Sequence, residues 1–73
     1  MSSYNICYWA PSPESAWNSI YASHDPDEAD EYYYGDNKVT AYEKTDTHLI
    51  IRYVYDGKLR KLSKKQALNC LKH

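Results

Sequence analysis

The sequence predicts a small α+β domain: a mostly antiparallel sheet with helices packed on it, in the order β-α-α-β-β-β-α. Three observations lead there. "HLIIRYVY" followed by Asp56–Gly57 reads as a strand entering a tight hairpin. "SPESAW" and "SKKQAL" each place a serine cap before an apolar helical stripe. The chain has 73 residues, enough for one domain over 1–73. A domain of this size buries only about 60% of the surface its unfolded chain exposes. Its single core leaves roughly 3–5 kcal/mol of net stability. A deep substrate cleft is therefore not expected, and function should reside in surface contact.

The elements follow in order. "YNICYW" alternates Tyr4, Ile6 and Tyr8 with Asn5, Cys7 and Trp9, which predicts a strand ended by Ala10–Pro11. Ser12 is the expected N-cap of a helix, with Pro13 at its first position and Glu14 in its first turn. Ala16, Trp17, Ile20 and Tyr21 form its apolar stripe, and Asp25–Pro26 limits it at about Ser23 or His24. Asp25, Pro26 and Glu28 then resemble a capping box, with Gly35 at the place of a left-handed C-cap, so a short helix is expected near 26–34. Disorder competes with it, as does a strand for "EYYY" paired through "GDN" with residues 38–42. "KVTAYEK" and "HLIIRYVY" are strands joined at "TDT". A two-residue turn at Asp56–Gly57 would set Tyr55 opposite Lys58 and Val54 opposite Leu59. A last helix begins at Ser63, with Gln66 completing a capping box and Leu62 able to staple against Ala67. Leu68 and Leu71 continue its buried side, and Lys72 and His73 suit its negative end.

Aromatic usage and charge point to surfaces. There are nine Tyr, two Trp and no Phe. A buried Tyr hydroxyl needs a partner, so this choice suits rings that are apolar on one side and wet at the tip, as at interfaces. Residues 1–37 hold seven acids and no Lys or Arg. Residues 38–73 hold all nine bases against three acids, leaving the halves at −7 and +6. Such a split concerns fields and partners, although the halves can also neutralise each other across the fold.

No pattern for catalysis is present. His24, His48 and His73 are scattered, Gly35 and Gly57 are the only glycines, and no GxSxG occurs. The chain is therefore expected not to be an enzyme and to take no cofactor. No metal is expected: Cys7 and Cys70 lack close-paired ligands, and Asp25, Asp27 and Glu28 lack the rest of a calcium loop. Neither a signal peptide nor a membrane span is expected, so the thiols should be reduced and buried in a cytoplasmic protein.

Three surfaces remain. Tyr4, Asn5, Ile6, Tyr8 and Trp9, joined by Trp17, are the expected partner-binding set, because aromatic anchors ringed by charge are how interface hot spots look. An edge strand there would also capture an extended peptide. Asp25, Asp27, Glu28, Asp30 and Glu31 form an acidic surface. It offers an alternative function, a DNA mimic that inhibits a nuclease, a restriction enzyme or a CRISPR complex. Lys58, Arg60, Lys61, Lys64 and Lys65 form a basic cluster near Tyr53 and Tyr55, which offers direct RNA or DNA contact as a further alternative.

With "SYNICYW" as its N-terminal element and "KLRKLSKK" as its basic one, the whole chain resembles the small early transcription regulators of lytic bacteriophages, of the Xanthomonas phage type. The resemblance implies a bacterial RNA polymerase subunit as partner, inhibition of host initiation through loss of the promoter-specificity factor, and antitermination during host takeover. It also implies that the basic half lies close to nascent RNA. The expected state is a monomer in the host bacterial cytoplasm.

Overall fold

The computed structural model describes Ile6 and residues 12–72. The expected N-terminal strand lies outside the described residues except for Ile6, which sits in a turn and is buried.

Helix α1 (Pro13–Ser19) starts as its sequence dictates. Ser12 Oγ accepts from Ser15 N at 3.1 Å, and Pro13 and Glu14 occupy the first turn. Ala16, Trp17 and Ile20 are buried. The helix stops about a turn earlier than expected, and Tyr21 is exposed rather than part of the stripe. The cause is Lys44, whose Nζ donates to Trp17 O at 2.9 Å and Ile20 O at 2.8 Å. A cation at these carbonyls satisfies groups the helix leaves open at its negative end. Ser23 N then donates to Ala41 O at 3.0 Å, so the chain is already running beside the sheet.

The sheet comprises β1 (Glu31–Tyr34), β2 (Asn37–Lys44), β3 (His48–Tyr53), β4 (Leu59–Ser63) and β5 (Leu71–Lys72), with α2 (Lys64–Cys70) between the last two. Its order is β4-β3-β2-β1-β5, all pairs are antiparallel, and it curls into a half-barrel. The α+β class with a mainly antiparallel sheet is what the sequence predicts.

The expected helix near 26–34 is corrected. Asp25 does nucleate one turn: its carbonyl accepts from Glu28 N at 3.0 Å and Ala29 N at 3.2 Å, and its Oδ1 accepts from Asp27 N at 3.0 Å. The turn goes no further because Asp30 N donates back to Tyr21 O at 3.0 Å. "EYYY" then pairs with β2, from Glu31 opposite Thr40 to Tyr34 opposite Asn37. Strand alternation buries Tyr32 and exposes Tyr33, and tyrosine fits a half-buried pleated surface better than a short unpacked helix. Gly35, with φ of 65°, is the first residue of the two-residue β1–β2 turn, where a positive φ is required.

The expected two-residue turn at Asp56–Gly57 is also corrected. Val54 N donates to Lys38 O at 3.0 Å, which holds Val54 on β2 and keeps it from pairing with Leu59. Arg52 faces Leu59 instead, and Val54–Gly57 form a four-residue loop closed by Gly57 N to Tyr53 O at 2.8 Å.

Helix α2 begins at Ser63, whose Oγ accepts from Gln66 N at 3.1 Å. It ends at Cys70, and Leu71–Lys72 pair with Tyr34 and Tyr33 as β5, so Lys72 belongs to a strand rather than to the helix end. Cys70 is a free, exposed thiol, contrary to the expected buried one, and Cys7 lies outside the described residues. The core joins the inner sheet face (Tyr32, Val39, Ala41, Leu49, Ile51, Leu62) to Ile6, Ala16, Trp17 and Ile20 and to Ala67, Leu68 and Leu71.

Gly35→Ala tests the β1–β2 turn. A Cβ there meets open space, so only backbone strain acts. The expected loss is about 1–2 kcal/mol, measured by urea unfolding.

Candidate functional site

The predicted site residues scatter over the fold. Tyr4, Asn5, Tyr8 and Trp9 lie outside the described residues. Ile6 and Trp17 belong to the core, Trp17 being 3% exposed. Lys44 Nζ and Lys64 Nζ lie 5.9 and 5.6 Å from the centre of the Trp17 ring, and Lys64 also pairs with Glu14 at 3.0 Å. Neither Ile6 nor Trp17 offers an exposed anchor to a partner.

The acids are partly absorbed by the fold. Asp30 Oδ2 accepts from Tyr21 N at 2.9 Å and from the Tyr32 hydroxyl at 3.2 Å. Burial, reinforced by the Asp30 carboxylate, pushes the Tyr32 phenol well above its ordinary range. Glu31 pairs with Lys38 at 3.3 Å, and Asp25 closes its own turn. Asp27 and Glu28 stand exposed beside that turn.

The bases divide in the same way. Arg60 lies opposite Ile51 and turns to the inner side of the sheet, where its guanidinium sits 5.1 Å from the Tyr34 ring centre. Tyr34 Oη also accepts from Gln66 Nε2 at 3.4 Å, so one tyrosine ties β1 to β4 and α2. Lys61, opposite Ile50, projects from the outer face. Lys64 faces Glu14 beside α1, Lys65 is exposed on α2, and Lys58 follows the β3–β4 loop. Strand alternation separates Arg60 from Lys61, neighbours in sequence.

Two surfaces emerge that sequence reading did not isolate. The first is the β3–β4 loop. Val54, Tyr55 and Leu59 are 54%, 72% and 51% exposed, and the Tyr55 ring meets Tyr53 edge-on at 5.8 Å. The second is the outer face of β2 and β3. A register shift between Ala41 and Glu43 makes Tyr42 the extra residue of a β-bulge. Its ring stacks on His24 at 4.2 Å and 11°, and Arg52 lies 5.9 Å from its centre. His24 Nε2 and Glu43 Oε1 are 3.2 Å apart, beside an open hollow of about 540 Å³ lined by residues 20–24 and 42–44. No local signal in "TAYEK" announces the bulge.

Among the described residues, no three His, Cys, Asp or Glu side chains converge to hold a metal. No helix among them is long and apolar enough to cross a membrane.

Tyr32 gives the fold an alkaline limit. Its phenol titrates higher in the folded chain than in the unfolded one, where the ordinary value is 10.0. The stability it contributes is complete below about pH 10 and is lost as pH rises beyond it, because only the unfolded chain then releases the proton. Urea unfolding near pH ~8 and pH ~11 should show this loss, and Tyr32→Phe should flatten it. No family model matches the chain, and neither a curated protein nor a solved structure matches it.

Proposed function

We propose that this chain is a non-enzymatic regulator that acts by binding a protein partner, and that the partner is a bacterial RNA polymerase subunit. The observation that carries the binding reading is the corner where β3 passes through its loop into β4, at which Val54, Tyr55 and Leu59 expose more than half their surface. Gly57, with φ of 73°, shapes the corner, and the edge-on contact with Tyr53 orders Tyr55 before any partner arrives. Aromatic and aliphatic anchors already in place lose little entropy on binding, which is how a small surface acquires affinity. Lys58 beside them steers an acidic partner surface.

The polymerase, the inhibition of host initiation and the readthrough of terminators come from the resemblance to small regulators of lytic phages. Action in the host bacterial cytoplasm belongs to the same reading.

Purified core enzyme and holoenzyme, each presented to the immobilised chain, test it directly. Binding accompanied by reduced promoter-dependent run-off and increased terminator readthrough supports the reading, whereas no binding to either enzyme form overturns it. Tyr55→Ala should weaken that binding by ~2 kcal/mol or more, about 30-fold, because it removes the most exposed anchor. Its effect on unfolding free energy should stay within about 0.5 kcal/mol.

A further inference from the structure

We propose that the outer face of the sheet binds single-stranded nucleic acid, stacking bases on Tyr33 and on the exposed end of the His24–Tyr42 stack and holding phosphates with Arg52, Lys61 and Lys72. This site adjoins the β3–β4 loop, where Arg52 faces Leu59, but it does not use Tyr55 and does not depend on any polymerase.

The register places these residues on one face. Tyr32, Val39, Ala41, Leu49, Ile51 and Leu62 point into the core, so their neighbours along each strand point out. Tyr33 is exposed beside Lys38 and Lys72, Thr40 lies beside Arg52, and Ile50 lies beside Lys61. The bulge turns Tyr42 to the same side, as the Arg52 guanidinium near its ring shows. Between the two tyrosines sits Thr40, which lies opposite Glu31 and Arg52 and is buried.

The charges favour a polyanion. The face also carries Glu31, paired with Lys38 at 3.3 Å, and Glu43, which shares a hydrogen bond with His24 at 3.2 Å and sets one negative charge against three positive ones. Arg52, Lys61 and Lys72 supply the remaining positive charge. A guanidinium beside an aromatic ring extends the stacking surface, since bases stack on both.

The tyrosines favour an unpaired strand. Base faces are hidden inside a duplex, and this sheet face presents no helix or ribbon to enter a groove. Along β2, Tyr42 stands four residues from Lys38, the partner of Tyr33, so the rings are roughly 13 Å apart. That spacing corresponds to about four nucleotides of a stacked strand.

Fluorescence anisotropy with the full chain and labelled oligouridylate or oligothymidylate of roughly twelve nucleotides tests the proposal, with a matched duplex as comparison. Binding of either strand supports it, and the preference between them tells RNA from DNA. Three neutralised phosphates predict a plot of log affinity against log salt with a slope of about −2. Tyr33→Ala should weaken binding about 5- to 100-fold. Lys61→Ala should lower the slope by about 0.7. Both variants should keep the wild-type circular dichroism, and Tyr55→Ala should bind the strands as the wild type does. If Tyr33→Ala does not fold, Lys61→Ala decides alone. Absence of binding at about 50 mM salt overturns the proposal. So does equal affinity for the duplex, equal competition by polyglutamate, or a loss on Tyr55→Ala that Tyr33→Ala and Lys61→Ala do not share.

Discussion

The pairing of Glu31–Tyr34 with the first half of β2 is the constraint on which the rest of the structure depends. It sends Tyr32 into the core, leaves Tyr33 outside, and puts Tyr34 where β5 can join it. Without it β5 has no strand to extend, α2 loses the connection that draws its C-terminus to the sheet, and the half-barrel opens. Asp30 fixes the entry to this strand. Its backbone N–H and carboxylate bind Tyr21, and its carbonyl accepts from Ala41 N at 3.0 Å.

A second group of contacts holds the helical side. Lys44 leaves β2 on the inner face after the bulge and ends α1 by donating to two carbonyls. Partial burial lowers the pKa of this ammonium, an effect that Asp30 opposes. The ammonium also lies beside the Trp17 ring, with Lys64 and its Glu14 partner close by. Among the described residues, acids of the first half thus form ion pairs with bases of the second at Glu14 with Lys64 and Glu31 with Lys38. The dipolar sequence is folded partly onto itself, which leaves less charge for a partner than the count suggests. Both exposed surfaces with recognition chemistry come from the sheet, one at a loop corner and one across its outer face.

Much of the fold was legible because its signals are local. Ser12 and Ser63 cap the next helix with their own side chains, and both caps need only three residues of context. The strand His48–Tyr53 shows its run of apolar, β-branched residues in any short window. Residues 24–37 carried conflicting local signals: Asp25, Pro26 and Glu28 favour a helix start, and three consecutive tyrosines favour a strand. The conflict was resolved by which backbone groups found partners: Asn37, Lys38, Val39 and Thr40 offered a ladder across the turn, which is the strand alternative that the sequence left open. The β3–β4 loop failed for the same reason, since Lys38 competes for the Val54 N–H across the sheet.

The sequence by itself determined the α+β class, both helix starts, the three long strands and the charge asymmetry. Each of these follows from propensity, capping or periodicity within about ten residues. Tertiary structure alone decided that Trp17 is a core residue, that Arg60 and Lys61 face opposite ways, and that Tyr33, Tyr42, Arg52 and Lys61 share a surface. Which side chains meet depends on strand register and on one bulge, and register is set by which backbone groups find partners across the sheet. That competition joins residues far apart in the chain, so no short stretch contains its outcome.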